Sequence, residues 1–195
     1  MNFLAHIYLS DNSNEIILGN FMADFIKGNN FQHLPEGVIK GIKLHRAIDD
    51  FTDTHEIVKK DIKIFYPHYK RYSGIVIDIL YDYFLIKHWN LFSTHDLDEF
   101  INSFYKLVDT HQDMMPQMLQ EIYPKMVSEN WLLNYGNYKG LERTFLAMTA
   151  RLNHAVDFKE VVSLFKPYEQ EIEKDFLVFF KELETYVQHY RMLLN

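Results

Sequence analysis

The sequence has no cysteine. That excludes disulfides, thiolate metal sites and a cysteine nucleophile, and it fits a reducing cytosol. Glycine and proline are scarce, at seven and five in 195 residues. A β-sandwich or barrel needs more turn residues than that, so the scarcity points to helices. Long apolar runs are missing too. The longest late stretch, Phe176 to Phe180, is far too short to cross a bilayer, and no membrane contact is expected. The N-terminal MNFLAHIYLSD has no basic region, and His6 and Asp11 interrupt it, so it does not read as a signal peptide and a cytoplasmic location is expected. Positive charge is short overall. Twenty Lys and Arg against 27 Asp and Glu leave a net charge of −7, which argues against a nucleic-acid partner.

What is present is a large apolar fraction, 48%, with 13 Tyr and 16 Phe. A chain of this size buries enough of that surface to fold alone, so residues 1–195 are expected to form one domain. There is no repeat, low-complexity segment or linker. Apolar periodicity predicts helices at about 2–9, 14–28, 36–53, 55–65, 73–90, 96–111, 115–128, 138–153 and 157–192. Breaks are expected at Asn29-Asn30, Pro67, Ser93-Thr94, Pro116 and Gly136-Asn137. Ser73 reads as an N-cap, and Asp96 with Glu99 as a helix start. The IVIDIL run at 75–80 has strand-like composition. The 3,4,3,4 spacing of Ile75, Asp78, Asp82, Leu85 and Trp89 nevertheless favours helix. The expected architecture is a single compact all-α, multi-helix domain.

Aspartate is distributed unevenly. Residues 1–82 hold eight Asp against three Glu, and residues 83–195 hold six against ten. Asp is a poor helical acid because its short side chain competes for backbone groups, so its placement in helices asks for a reason. Val38, Ile42, His45 and Asp49 are spaced 4,3,4, which continues an apolar stripe with a His and an Asp. Asp78 and Asp82 continue the stripe of Ile75, and Asp24 that of Ile17 and Phe21. Carboxylates on such stripes are costly unless paired, hydrogen-bonded or bound to metal. One of them alone could cap a neighbouring helix or pair with Arg46, Arg71 or Arg143, and His6 alone reads as a core histidine. Three helices aiming acids inward suggest one shared divalent-metal site, with His45 and Asp49, one turn apart, ligating a single ion.

The sequence contains no Glu-x-x-His, HExxH, P-loop, GxGxxG or G-x-S-x-G. Imidazole and carboxylate without sulfur suit Mn²⁺, Fe²⁺ or Mg²⁺ at least as well as Zn²⁺. His95-Asp96 lies in a predicted loop and reads as a helix cap. Between residues 59 and 71, Lys59, Lys60, Lys63, Lys70 and Arg71 against the single carboxylate of Asp61 leave +4, a patch that could steer an acidic partner or simply be a solvated face.

In order, the chain carries MNFLAH at 1–6, GNFMADFIKG at 19–28, GIKLHRAIDDFTDTH at 41–55, KRYSGIVIDILYDYFL at 70–85 and, more loosely, ENWLLNYGNYKGLERTFLAMTAR at 129–151. This series resembles the acyl-carrier-protein phosphodiesterase family from first residue to last. The resemblance implies an HD-domain-like helical fold and hydrolysis of the phosphodiester that links 4′-phosphopantetheine to a Ser of acidic holo-acyl carrier protein, usually with Mn²⁺. By motif position it implies His6, Asp24, His45, Asp49 and Asp78 as metal-site residues, with Asp24 ligating or orienting water. Arg46 would clamp the phosphate, and Asp82 would orient a ligating His or form a helix-to-helix salt bridge. Residues 59–71 would dock the carrier, and Tyr69 and Tyr72 would line a channel for its arm. The pattern departs at Tyr83, where the family commonly has His; that residue's role would be missing here or would pass to Tyr83 or His88. Two alternatives stay open: a phosphohydrolase acting on a nucleotide or small phosphoester, and a helical binding module without metal.

Overall fold

The helical period is carried through the chain. The computed structural model describes residues 3–10 and 13–194, and among these it shows helices and short 3₁₀ turns without a strand. The expected helix start at residue 2, and Asp11, lie outside the described residues. The helices are α1 (Phe3–Tyr8), α2 (Asn14–Met22), α3 (Glu36–Thr54), α4 (Glu56–Tyr69), α5 (Ser73–Lys87), α6 (Trp89–Phe92), α7 (Leu97–Asp109), α8 (Gln117–Ser128), α9 (Trp131–Asn134), α10 (Tyr138–Arg151), α11 (Val161–Phe165) and α12 (Glu169–Leu194).

Several boundaries differ from the sequence expectation, each for a local reason. The helix expected at 14–28 ends at Met22 and tightens into a 3₁₀ turn, Ala23–Phe25. Ile26 then turns extended, and Gly28 takes a left-handed φ of 59°. Asp24 therefore sits on a turn at the helix end. Pro67 does not break α4, which runs on to Tyr69. A helical proline costs about 3 kcal/mol, and burial of Phe65 and Tyr69 on either side of it offsets that strain. Ser73 is the first helical residue instead of the cap, because its hydroxyl donates back to the Lys70 carbonyl at 2.8 Å. The segment 157–192 splits where Pro167 lies in a 3₁₀ turn, giving α11 and α12. The IVIDIL run is helical, as its spacing required. Asp96 caps α7 by accepting from the backbone of Asp98 and Glu99 at 2.9 and 3.1 Å.

One apolar core runs from Phe3 to Val187, and its centre is aromatic: Tyr81, Phe84, Phe176, Phe179 and Phe180 are fully buried. Each such side chain contributes roughly 1.5–3 kcal/mol by leaving water. The 26-residue α12 lies across α3, α4 and α5. On the other side α2 and α3 approach backbone to backbone. A Cβ on Gly19 would lie 2.1 Å from the Val38 carbonyl oxygen, and one on Gly41 would lie 2.3 Å from that of Ile16. Only glycine permits that approach, and it brings α2 within reach of the polar side chains of α3. No helix among the described residues is long and apolar enough to cross a membrane.

Candidate metal centre

Val38 and Ile42 anchor the inner face of α3, so the same stripe carries His45 into the interior and leaves Asp49 half-buried at its edge. α1 is only six residues long, and five of them are buried, His6 included. Packed together, these elements place ligand atoms of His6, His45 and Asp49 within 4.8 Å of one another. The imidazoles of His6 and His45 stack at 3.9 Å between centroids and 17° between planes. His45 Nε2 lies 3.1 Å from Asp49 Oδ2 and 3.1 Å from Asp24 Oδ1. His6 Nε2 lies 3.2 Å from Asp49 Oδ1, while its Nδ1 is buried with no hydrogen-bond partner among the described residues.

The other nitrogen of His45 is also met by acceptors. Nδ1 lies 2.9 Å from the Asn20 carbonyl oxygen and 3.1 Å from Asn20 Oδ1. A neutral imidazole can donate from one nitrogen only, so one side would always face acceptors without a proton. Two states satisfy the ring: the doubly protonated imidazolium, or an Nδ1–H donor with a cation at Nε2. Burial opposes the charge on His45, but the hydrogen bonds to Asp24 and Asp49 outweigh it and push the pKa up to about 9. Burial, aided by the neighbouring His45, takes His6 down to about 4, so it stays neutral and able to ligate. Burial also disfavours charge on Asp24 and Asp49. Their imidazole partners reverse this and hold both carboxyls below the usual range. Two carboxylates around a nitrogen that needs a positive charge fit a divalent cation.

The remaining sequence candidates lie elsewhere. Asp78 is half-buried and outside the His6–His45–Asp49 group; burial, and then the charge of Asp78, push the Asp53 carboxyl upward. Asp82 is fully buried and accepts from the Leu4 backbone N–H at 3.4 Å, so it holds the start of the helix that carries His6. Arg46 binds the loop after α2. Its guanidinium donates to the Gly28 carbonyl and, at 3.5 Å, to Asn29 Oδ1, and lies 4.8 Å over the Phe31 ring.

Of the alternatives for the departure at residue 83, Tyr83 and His88 both make their side-chain bonds to α12 and not to this centre. The Tyr83 hydroxyl donates to Glu169 at 2.7 Å, and His88 pairs with Glu173, both on α12. In the basic segment, Lys60 is paired with Glu171 at 2.9 Å and Asp175 at 2.5 Å, and Lys59 with Glu56 at 3.0 Å. Lys63, Lys70 and Arg71 are exposed. Tyr69 is buried against Phe158. Tyr72 lies under Arg71, which donates to its hydroxyl at 2.7 Å.

Sequence reasoning missed Asn20 and Ser10. The available signal was an Asn inside the apolar run IILGNFM, where a helix has no use for it.

A model of the family described as acyl carrier protein phosphodiesterase matches residues 1–183. A protein of that name from Photorhabdus laumondii is 33% identical over 193 residues, covering 90% of this chain and 98% of the relative. Another from Yersinia pestis is 30% identical over 190 residues, covering 97% and 98%. One from Klebsiella pneumoniae is 35% identical, covering 77% of this chain and 79% of the relative. No solved structure matches the chain significantly.

Proposed function

This chain belongs to the acyl carrier protein phosphodiesterase family, and on that premise we propose that it hydrolyses the 4′-phosphopantetheine phosphodiester of holo-acyl carrier protein in a divalent-metal-dependent reaction. It is a phosphodiesterase by family. The observation that carries the finer reading is the His6–His45–Asp49 cluster, with Asp24 on the same nitrogen of His45.

His6, His45 and Asp49 would hold the ion, with Asp24 as a further ligand or the group that orients water; Mn²⁺ suits this set, and Fe²⁺, Mg²⁺ or Zn²⁺ are compatible with it. Such an ion polarises a phosphoryl oxygen and lowers the pKa of water. In the reaction a water oxygen bonds to phosphorus, the bond from phosphorus to the carrier's serine oxygen breaks, and that oxygen takes up a proton. Asp24, exposed at the rim, would orient that water or take the proton it gives up. Arg46 uses donors on Gly28 and Asn29, and those that remain are suited to a phosphoryl oxygen. Asp78, half-buried on α5, is a further candidate ligand. Lys63, Lys70 and Arg71, exposed and outside the ion pairs that hold Lys59 and Lys60, are the part of the face we assign to the acidic carrier. An HD-like arrangement of the helices belongs to the same proposal.

The deciding experiment is incubation of holo-carrier protein with this protein, with and without Mn²⁺, followed by intact mass. Mn²⁺-dependent loss of the phosphopantetheine arm is the expected result. An unchanged carrier mass, with turnover of nucleotides or small phosphoesters instead, would overturn the substrate; turnover that survives rigorous chelation would overturn the metal.

A further inference from the structure

We propose that Asn20 is a positioning residue of the centre, a strut whose side chain sets the gap between the two imidazoles. Asn20 is fully buried in α2, where its amide contributes nothing to the helix itself. Both ends of the amide are engaged. Nδ2 donates to the His6 carbonyl oxygen at 2.9 Å and to Ser10 Oγ at 2.8 Å, and Ser10 Oγ in turn donates to the same carbonyl at 2.6 Å. Oδ1 faces His45 Nδ1 at 3.1 Å. One side chain thus joins the segment that carries His6 to the ring of His45.

The strut answers a specific need. A six-residue helix is far below the length that holds itself in water, so the placement of α1 depends on tertiary ties. The His6 ring brings none on its Nδ1 side, where it has no hydrogen-bond partner among the described residues. Beside the bond of Asp82 to Leu4 and the contact of Asp49 with His6 Nε2, a further tie is made through the His6 backbone, by Asn20. Gly19 and Gly41 bring α2 close enough to α3 for the same residue to reach His45. Groups that orient ligating histidines commonly contribute 10–100-fold to metal affinity. The consequence for affinity rests on the metal reading above; the strut itself rests on geometry.

The test compares wild type with Asn20→Ala and Asn20→Asp. Asn20→Asp keeps the acceptor opposite His45 but has no donor for His6 and Ser10. Mn²⁺ affinity of the ion-free proteins is measured by calorimetry, and cross-relaxation between the His6 and His45 rings by NMR. Both variants should bind Mn²⁺ about 10–100-fold more weakly and lose the inter-ring signals. Excess Mn²⁺ should recover most of kcat, with KM for the carrier within about twofold, since the lost contact lies in metal binding and not in docking. Unchanged affinity and intact inter-ring signals in a folded variant, whatever its Tm, would overturn the strut. If wild type binds no Mn²⁺, the metal reading falls and the ring signals alone decide: loss supports the strut and retention overturns it. If neither variant folds, Ser10→Ala decides. It removes one anchor and should weaken Mn²⁺ binding about threefold, or without metal binding diminish the ring signals; no change overturns the proposal.

Discussion

Two polar clusters in this protein are built from similar residues and differ in how completely they satisfy themselves. In the seam between α5, α10 and α12, Tyr83 and Tyr138 both donate to Glu169, Lys87 bridges Glu169 and Glu173 at 3.3 and 2.9 Å, and His88 completes Glu173. No buried polar atom of that seam lacks a partner. In the cleft between α1, α2 and α3, His45 has acceptors at both nitrogens and His6 Nδ1 has no partner among the described residues. A structural cluster closes on itself because an open buried polar group costs about 1–3 kcal/mol. On the reading proposed above, the member that closes the cleft is a divalent ion.

The sharpest way to break this contrast is to remove a ligand from the open cluster. His45→Ala or Asp49→Ala should lower turnover at least about a thousandfold, since an ion supplies several kcal/mol of transition-state stabilisation. Helical circular dichroism should be retained and Mn²⁺ binding lost. Near-native turnover in either variant would show that the cleft is another structural cluster. Asp78→Ala, made in parallel, asks whether that carboxylate joins the set; full activity would leave the centre to His6, Asp24, His45 and Asp49.

The open cluster should also show itself in the pH dependence of ion-free stability. The folded pKa of His45, about 9, lies above its ordinary 6.5, so the native state holds that proton more firmly. Its contribution is present below pH 6.5 and is lost as pH rises through 9, on the order of 3 kcal/mol. His6, lowered to about 4, acts in the other window: the unfolded chain binds the extra proton between pH 4 and 6.5, so stability rises with pH there. Denaturant titrations without metal should therefore show the alkaline loss, and His45→Gln should remove it. A slope that persists in His45→Gln belongs to some other group.

The closed cluster predicts the reverse pattern. Tyr83→Phe removes one hydroxyl donor to Glu169 and should cost about 1–2 kcal/mol, a Tm lower by about 3–6 °C. Mn²⁺ affinity and kcat should be unchanged. A fall in kcat greater than the loss of folded protein would return Tyr83 to the catalytic account.

The same distinction explains what could be read in the sequence. His45 and Asp49 were legible because α3 is a regular helix and an apolar stripe names its inward residues. Asp96 was legible because a cap is a local bond. Asp24 was found for the wrong reason: its stripe presumed a helix that ends at Met22, and it reaches His45 from a 3₁₀ turn. The seam could not be foreseen, since Tyr83 and Glu169 are 86 residues apart and nothing local to either specifies the other. Pro67 misled because proline propensity is local, whereas the burial of Phe65 and Tyr69 that overrides it is tertiary.

The smallest expected effect tests the contrast outside the core. In the basic segment, Lys60 is closed, paired with Glu171 and Asp175 of α12, where Asp175 also neighbours the buried Asp61 that accepts from Tyr81 at 2.7 Å. Lys63, Lys70 and Arg71 are exposed. If the face docks an acidic carrier, Lys63→Glu, Lys70→Glu and Arg71→Glu together should raise KM by about tenfold at low salt, with kcat held, and the difference should shrink as salt screens the encounter. Lys60→Glu should instead lower Tm, because it sets a third acid against Glu171 and Asp175, and it should move KM less than the triple reversal does. A KM that ignores the exposed cations would move the docking face off this segment. A KM that responds only to Lys60 would mean that the carrier breaks the α4–α12 pairs when it binds, and the protein's most closed surface charge would then be an open one.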